Sequence, residues 1–194
     1  GPNINAPMSE EFVVAAFAAA RQAKALTANG SEKERDLIDA LTKRYAAKAV
    51  KDRSKLDRAF ANAMDGVATK YSDDPFILSL AAEANMDTQP WDYWEADRRT
   101  PKGRAARTVS LIESALARDP NYIPAMHLYI HMTENTQNPY RAEPYADRLA
   151  GLSPGLGHLI HMPAHTYYRI GRFKDSLDLN VKAVDADEAF LAAN

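Results

Sequence analysis

All five histidines of this 194-residue chain fall between His127 and His165, in two groups: His127 and His131, then His158, His161 and His165. His127 and His131 are four residues apart, as are His161 and His165, and the second pair follows the first by 34 residues at both members. Pro120 and Pro154, each preceded by a small polar residue, keep the same offset. Residues i and i+4 share one face of a helix, so the common offset puts both pairs on the same face of successive copies of one helical unit. No other feature constrains the fold as much. A period of this length holds one helix–turn–helix, which buries its apolar side only by stacking on neighbours.

The rest of the chain agrees with that reading. Apolar residues make up 46 % of it with only 8 Gly, and its wealth of Ala, Leu, Lys, Arg and Glu favours helix over strand. The expectation is an all-α right-handed stack of antiparallel helical hairpins with no sheet. Ser9, followed by Glu10 and Glu11, starts a helix with Phe12, Val13, Ala16, Phe17, Ala20 and Ala23 at helical spacing, which Gly30 stops. Ser31 and Glu34 form a capping box ahead of Leu37, Ile38 and Leu41, and a third helix begins near Ser54. Asp74-Pro75, Asp119-Pro120 and Ser153-Pro154 then repeat a small polar residue followed by Pro at the first helical position. The predicted later helices are about 75–87, 102–118, 121–136, 139–150, 155–170 and 173–192, with a kink or break expected at Pro144 and Pro163.

The interval from Pro75 to Pro120 is longer than 34 residues, and the excess falls in a segment without helical period at about 88–101, which holds both tryptophans, Trp91 and Trp94. It reads as an insertion. Residues 1–51 are therefore an extended lead-in and an N-terminal hairpin, and 52–194 are repeats of one continuous solenoid carrying that insertion. Gly1-Pro2 resembles a cloning scar, and Asn194 interrupts a helical pattern that has no stop signal, so the chain reads as an internal piece truncated at both ends. A homodimer through the cut end near Phe190 and Leu191 is expected.

Charge and motif content narrow the function classes. A formal net charge of −2 with both signs interspersed lacks the clustered Lys and Arg of a nucleic-acid footprint. No run approaches the roughly 18 apolar residues of a membrane span, and no leader is visible, so the address stays open. With no Cys, any metal sits on His, Asp or Glu. There is no His-Glu-x-x-His, no phosphate-cradling Gly loop and no Ser or Cys nucleophile motif.

A 34-residue helix–turn–helix period resembles the tetratricopeptide repeat (TPR). Tyr167, Gly171, Phe173, Ser176, Ala183 and the 185–187 turn carry the match in the last unit; the unit before it keeps Tyr129, Ala142 and Pro154 but has Gln137 where the family often has Gly. Gly157-His-Leu-Ile-His-Met-Pro-Ala-His165, with Tyr129-Ile-His131 ahead of it, is also similar to a stretch in a group of largely uncharacterised bacterial TPR-containing proteins. The resemblance implies that the first helix of each unit lines a concave groove. On that face would lie Pro124, His127, His131 and Glu134, then His158, His161, His165 and Tyr168.

His127, His131, His161 and His165 would then mark a small rectangle across two neighbouring helices, with His158 and Glu134 one turn away as further ligands or outer acceptors. Neutral imidazoles suit zinc or another transition metal. The same residues admit two other readings: ordinary packing histidines duplicated with the repeat, or a polar groove in which His and Arg169 hold an anionic group. Trp91, Tyr93 and Trp94 either wall the groove or plug the gap at the insertion. The functional reading is an interaction module that takes a peptide, a protein or a small ligand in a His-lined groove with Tyr168, Arg169, Trp91 and Trp94 beside it, with a bound transition metal as a further feature. The alternative is a metal-dependent enzyme completed by regions outside the chain.

Overall fold

The computed structural model describes residues 2–193; Gly1 and Asn194, the two termini read above as cut ends, lie outside the described residues. Among the described residues there are nine α-helices: α1 (Glu10–Ala25), α2 (Glu32–Leu41), α3 (Ser54–Lys70), α4 (Pro75–Met86), α5 (Ala105–Arg118), α6 (Ile123–Thr133), α7 (Glu143–Leu152), α8 (Gly157–Arg169) and α9 (Phe173–Ala193). Extended backbone pairs only in two isolated bridges, Asn3 with Ala6 and Trp94 with Pro101, and no sheet forms among these residues. Among the described residues no helix is long and apolar enough to cross a membrane.

Several boundaries follow from local chemistry. Ser31 accepts from the Glu34 amide while Glu34 accepts from the Ser31 amide at 2.7 Å, which closes the capping box of α2. Asp74 accepts from the amides of Phe76 and Ile77, with Pro75 at the head of α4. The two later Pro signals act differently. Pro120 and Pro154 sit in turns, and α6 and α8 begin three residues further on, at Ile123 and Gly157, so the 34-residue offset survives while the start moves. Pro144 lies in the first turn of α7, where its missing N–H costs nothing, and a 3-10 turn over Pro139–Ala142 precedes it. Pro163 is inside α8 and buried. The first helix stops at Ala25, well before Gly30, and hands over to a 3-10 turn at Thr27–Asn29. Ser9 takes the N-cap position without capping; its hydroxyl donates to Glu11 instead.

Consecutive helices pack against each other, and α4, α6 and α8 also touch in series. These three therefore form one continuous layer, with α5, α7 and α9 as their partners. Met64, Ile77, Ile112, Ile130, Leu149 and Met162 are fully buried between the layers, where each apolar side chain contributes roughly 1.5–3 kcal/mol. Arg172 fastens the last turn of the stack: its guanidinium stacks 4.0 Å from the Tyr167 ring centroid and pairs with Glu143, Asp147 and Asp175 at 2.7–3.0 Å. Gly171 just before it takes φ +84°, a conformation that permits the tight turn from α8 to α9.

The insertion is an ordered loop over residues 87–104. Gln89 ties its two ends, donating to the carbonyls of Asp92 and Lys102 and accepting from the Arg104 amide. Gly103, at φ +49°, leaves the room that the Gln89 side chain occupies. Gln137 explains its own departure from the TPR pattern. It donates to the Asp97 carbonyl, accepts from Arg99 at 2.6 Å, and its amide donates to the Arg98 carbonyl, so it clamps the loop to the turn after α6. Tyr93 is buried and Trp94 is half-buried with its indole N–H on the Met132 carbonyl at 2.9 Å. Both serve packing; Trp91 does not, as described next.

Candidate metal centre

Helices α6 and α8 lie side by side in the layer formed with α4, and their histidines form a closed ring. Going round it, ring centroids are 4.8 Å apart for His127–His131, 5.7 Å for His131–His165, 4.7 Å for His165–His161, 6.4 Å for His161–His158 and 5.0 Å for His158–His127. Ligand nitrogens of His127, His131 and His158 all lie within 4.8 Å of one another. His127 and His158 face each other Nε2 to Nε2 at 3.1 Å. Two nitrogens about 2.0–2.1 Å from a tetrahedral zinc are about 3.4 Å apart, so this separation is close to one edge of a zinc site.

The cross-helix pairing differs from the rectangle expected from equivalent positions. His127 meets His158, and Glu134 meets His165; in each case the partner is 31 residues on instead of 34. The helices are displaced along each other by about one turn, near 4.5 Å for three residues. His158 thereby joins His127 and His131, while His161 pairs with His165, Nε2 to Nε2, at 2.9 Å.

Surrounding acceptors set the tautomers. Glu134 accepts at both carboxylate oxygens, from Nδ1 of His131 at 3.2 Å and from Nδ1 of His165 at 2.8 Å. Asn180, on α9, gives its amide N–H to the Ser176 carbonyl, which turns its oxygen toward Nδ1 of His161 at 2.6 Å. A ring nitrogen facing an acceptor must carry the proton, so neutral His131, His161 and His165 all present Nε2 as a lone pair. The His131 Nε2 is buried without a hydrogen-bond partner, and the residue is only 4 % exposed.

Electrostatics favour neutral imidazoles at the His127–His158 edge of the ring. Burial, reinforced by His131, His158 and His165, pushes His127 down to about 3. Burial and the neighbouring histidines also lower His158. Burial raises Glu134, but hydrogen bonds from His131 and His165 outweigh it and hold the carboxyl at about 2.

Trp91 stands over His131, edge to face, with centroids 5.1 Å apart. It is 47 % exposed and takes φ +64°, a left-handed backbone that a bulky residue adopts only where its surroundings hold it. On the other side, Tyr168 and Arg169 border an open cleft of about 310 Å³ with Glu134, His161, His165 and Asn180. Of the groove residues expected from sequence, Trp91, Tyr168 and Arg169 thus adjoin the ring; Trp94 is turned into the packing. Asn180 escaped the sequence reading, though an amide spaced four residues after Ser176 and three before Ala183, the small residues that α9 buries, is a visible signal. Gly157 belongs to the site's frame, because the Asp187 carboxylate occupies the place a Cβ would take.

A scan against protein-family models finds no match, and a comparison with curated proteins finds none. Among solved structures, MamA MSR-1 C2, a TPR-containing protein, matches 92 % of this chain and 94 % of its own length with a TM-score of 0.59 at 13 % identity. A likeness at that identity carries the fold, and with the helical layers described above it makes this chain an all-α, TPR-like solenoid.

Proposed function

We propose that this protein is a TPR-like interaction module whose inner face holds a transition metal, zinc or a neighbour, at His127, His131 and His158, and uses it to bind a peptide or a small ligand. The observation that carries the reading is the buried, unpartnered Nε2 of His131 beside the close His127–His158 pair. An orphaned buried nitrogen costs about 1–3 kcal/mol, and a cation shared by three imidazoles removes that cost. Glu134 acts as the outer carboxylate that orients His131, a role such partners commonly fill around metal-bound histidines. Arg169, exposed at the cleft, supplies the charge for an anionic group on the ligand, and Tyr168 and Trp91 supply aromatic walls.

The test is elemental analysis of the full chain, purified without a His tag and dialysed against zinc. One equivalent or more is expected, and His127→Ala/His131→Ala should lose the ion bound at the three-histidine position. Metal-free protein under zinc-replete conditions, or an unchanged zinc content in the double variant, would end the proposal. For the homodimer, we place the contact on the outer side of α9, where Leu177, Val181, Val184 and Leu191 are exposed. Light scattering that gives a monomer at 100 μM order of concentration would remove it.

A further inference from the structure

We infer a second metal position, at Nε2 of His161 and His165, separate from the three-histidine position and open to the cleft beside it. This rests on reading the inner face as metal-binding, and it adds a site with its own ligands and access. The two nitrogens are 2.9 Å apart. Each ring already donates through Nδ1, His161 to an amide oxygen that cannot be turned round and His165 to a carboxylate. Rings held this way turn Nε2 toward Nε2, away from the protonated Nδ1 of each. Such a contact calls for positive charge between the nitrogens; a shared proton supplies it at 2.9 Å, and a divalent ion supplies it once they part by about 0.5 Å toward the 3.4 Å edge of a tetrahedral site.

The outer partners are those of a built site. Glu134 follows the last turn of α6 and Asn180 lies on α9, and Asn180 is itself anchored to the Ser176 carbonyl at 2.8 Å. Acceptors behind metal-bound imidazoles typically control affinity 10–100-fold. Two protein nitrogens leave coordination positions unfilled, and the open side is the cleft bordered by Tyr168 and Arg169. A carboxylate entering there meets the ion and the Arg169 guanidinium together. The ligand class is therefore a carboxylate-bearing molecule, such as an acidic side chain or the end of a peptide. The two positions would share a wall, since His131 and His165 stand 5.7 Å apart by ring centroids, and both take nitrogen-preferring divalent ions such as Zn(II) or Co(II).

Cobalt titration of the metal-free full chain, followed by visible absorption and by equilibrium dialysis, separates the possibilities. Two Co(II) per chain are expected, falling to one in His161→Ala/His165→Ala. Asn180→Leu, which leaves every histidine in place, should keep the first ion and weaken the second about 10–100-fold. Acetate should change the absorption of the second ion alone. One ion in both the wild-type chain and the double variant, or two in both, overturns the second position and leaves the first standing. No ion in any of them overturns both readings. Circular dichroism of each metal-free variant must match that of the parent; should the double variant unfold, Asn180→Leu decides, and equal affinity there overturns the inference.

Discussion

Helices α6 and α8 hold the same place in consecutive repeats and carry the same histidine pair, yet they bury it differently. In α6 eight of eleven residues are buried, His131 among them; in α8 Tyr168 and Arg169 are exposed and His161 and His165 are half-buried. The cause is position in the stack. Helix α6 has inner-layer neighbours on both sides, α4 and α8, and Trp91 of the inserted loop covers His131. Among the described residues α8 has an inner-layer neighbour on one side alone. The duplicated pairs therefore differ at one member, His131 being buried while His127, His161 and His165 are half-buried, and His158 beside His127 is exposed; burial follows the neighbours instead of the motif.

That contrast can be broken most forcefully by truncating each helix in turn. Met126→Ala in α6 removes a fully buried side chain and should cost about 2–5 kcal/mol in urea unfolding. Tyr168→Ala in α8, 62 % exposed, should change stability by no more than about 0.5 kcal/mol. Comparable losses in both would mean that α8 is as deeply embedded as α6.

Acid should act through His127. In the metal-free protein His127 is held at about 3 while its unfolded counterpart takes up a proton near the ordinary 6.5. Between those values the unfolded chain binds more protons, so stability is complete above about pH 6.5 and is lost as the pH falls toward 3, by up to a few kcal/mol. Thermal melts of the parent and of His127→Leu across this window should diverge, with the variant flatter; parallel curves would show that His127 is not shielded.

Trp91→Ala sharpens the comparison from above. It should leave the second position alone and speed release of the ion from the three-histidine position several-fold, about 1 kcal/mol, read by competition with a chelator. Equal acceleration at both positions would deny Trp91 its selective place over His131. The smallest effect belongs to Arg169→Ala, which should lower the affinity for a carboxylate ligand with stability unchanged within about 0.5 kcal/mol; unchanged affinity would remove Arg169 from the cleft's chemistry.

Much of the architecture was legible along the chain because it is local. The capping box at Ser31, the Asp74 cap and the apolar period of the helices act within a turn or two, and the 34-residue recurrence of His127/His131 as His161/His165 placed both pairs on one layer. Helix starts after Pro120 and Pro154 were placed two residues early, since a Pro fits the turn before a helix as well as its first position. The inserted segment was recognisable by its missing period; its tethering through Gln89 and Gln137 was not, because those bonds join residues far apart in sequence.

By itself, then, the sequence determined an all-α repeat and the face on which the histidines stand, because periodicity and offset depend only on spacing along a helix. Tertiary structure alone decided which histidine meets which. The one-turn displacement that brings His127 to His158 and Glu134 to His165 depends on how the buried side chains between α6 and α8 interlock, and no spacing within either helix encodes it. The same holds for Asn180, whose role exists only because α9 packs against α8 and carries an amide to the far nitrogen of His161.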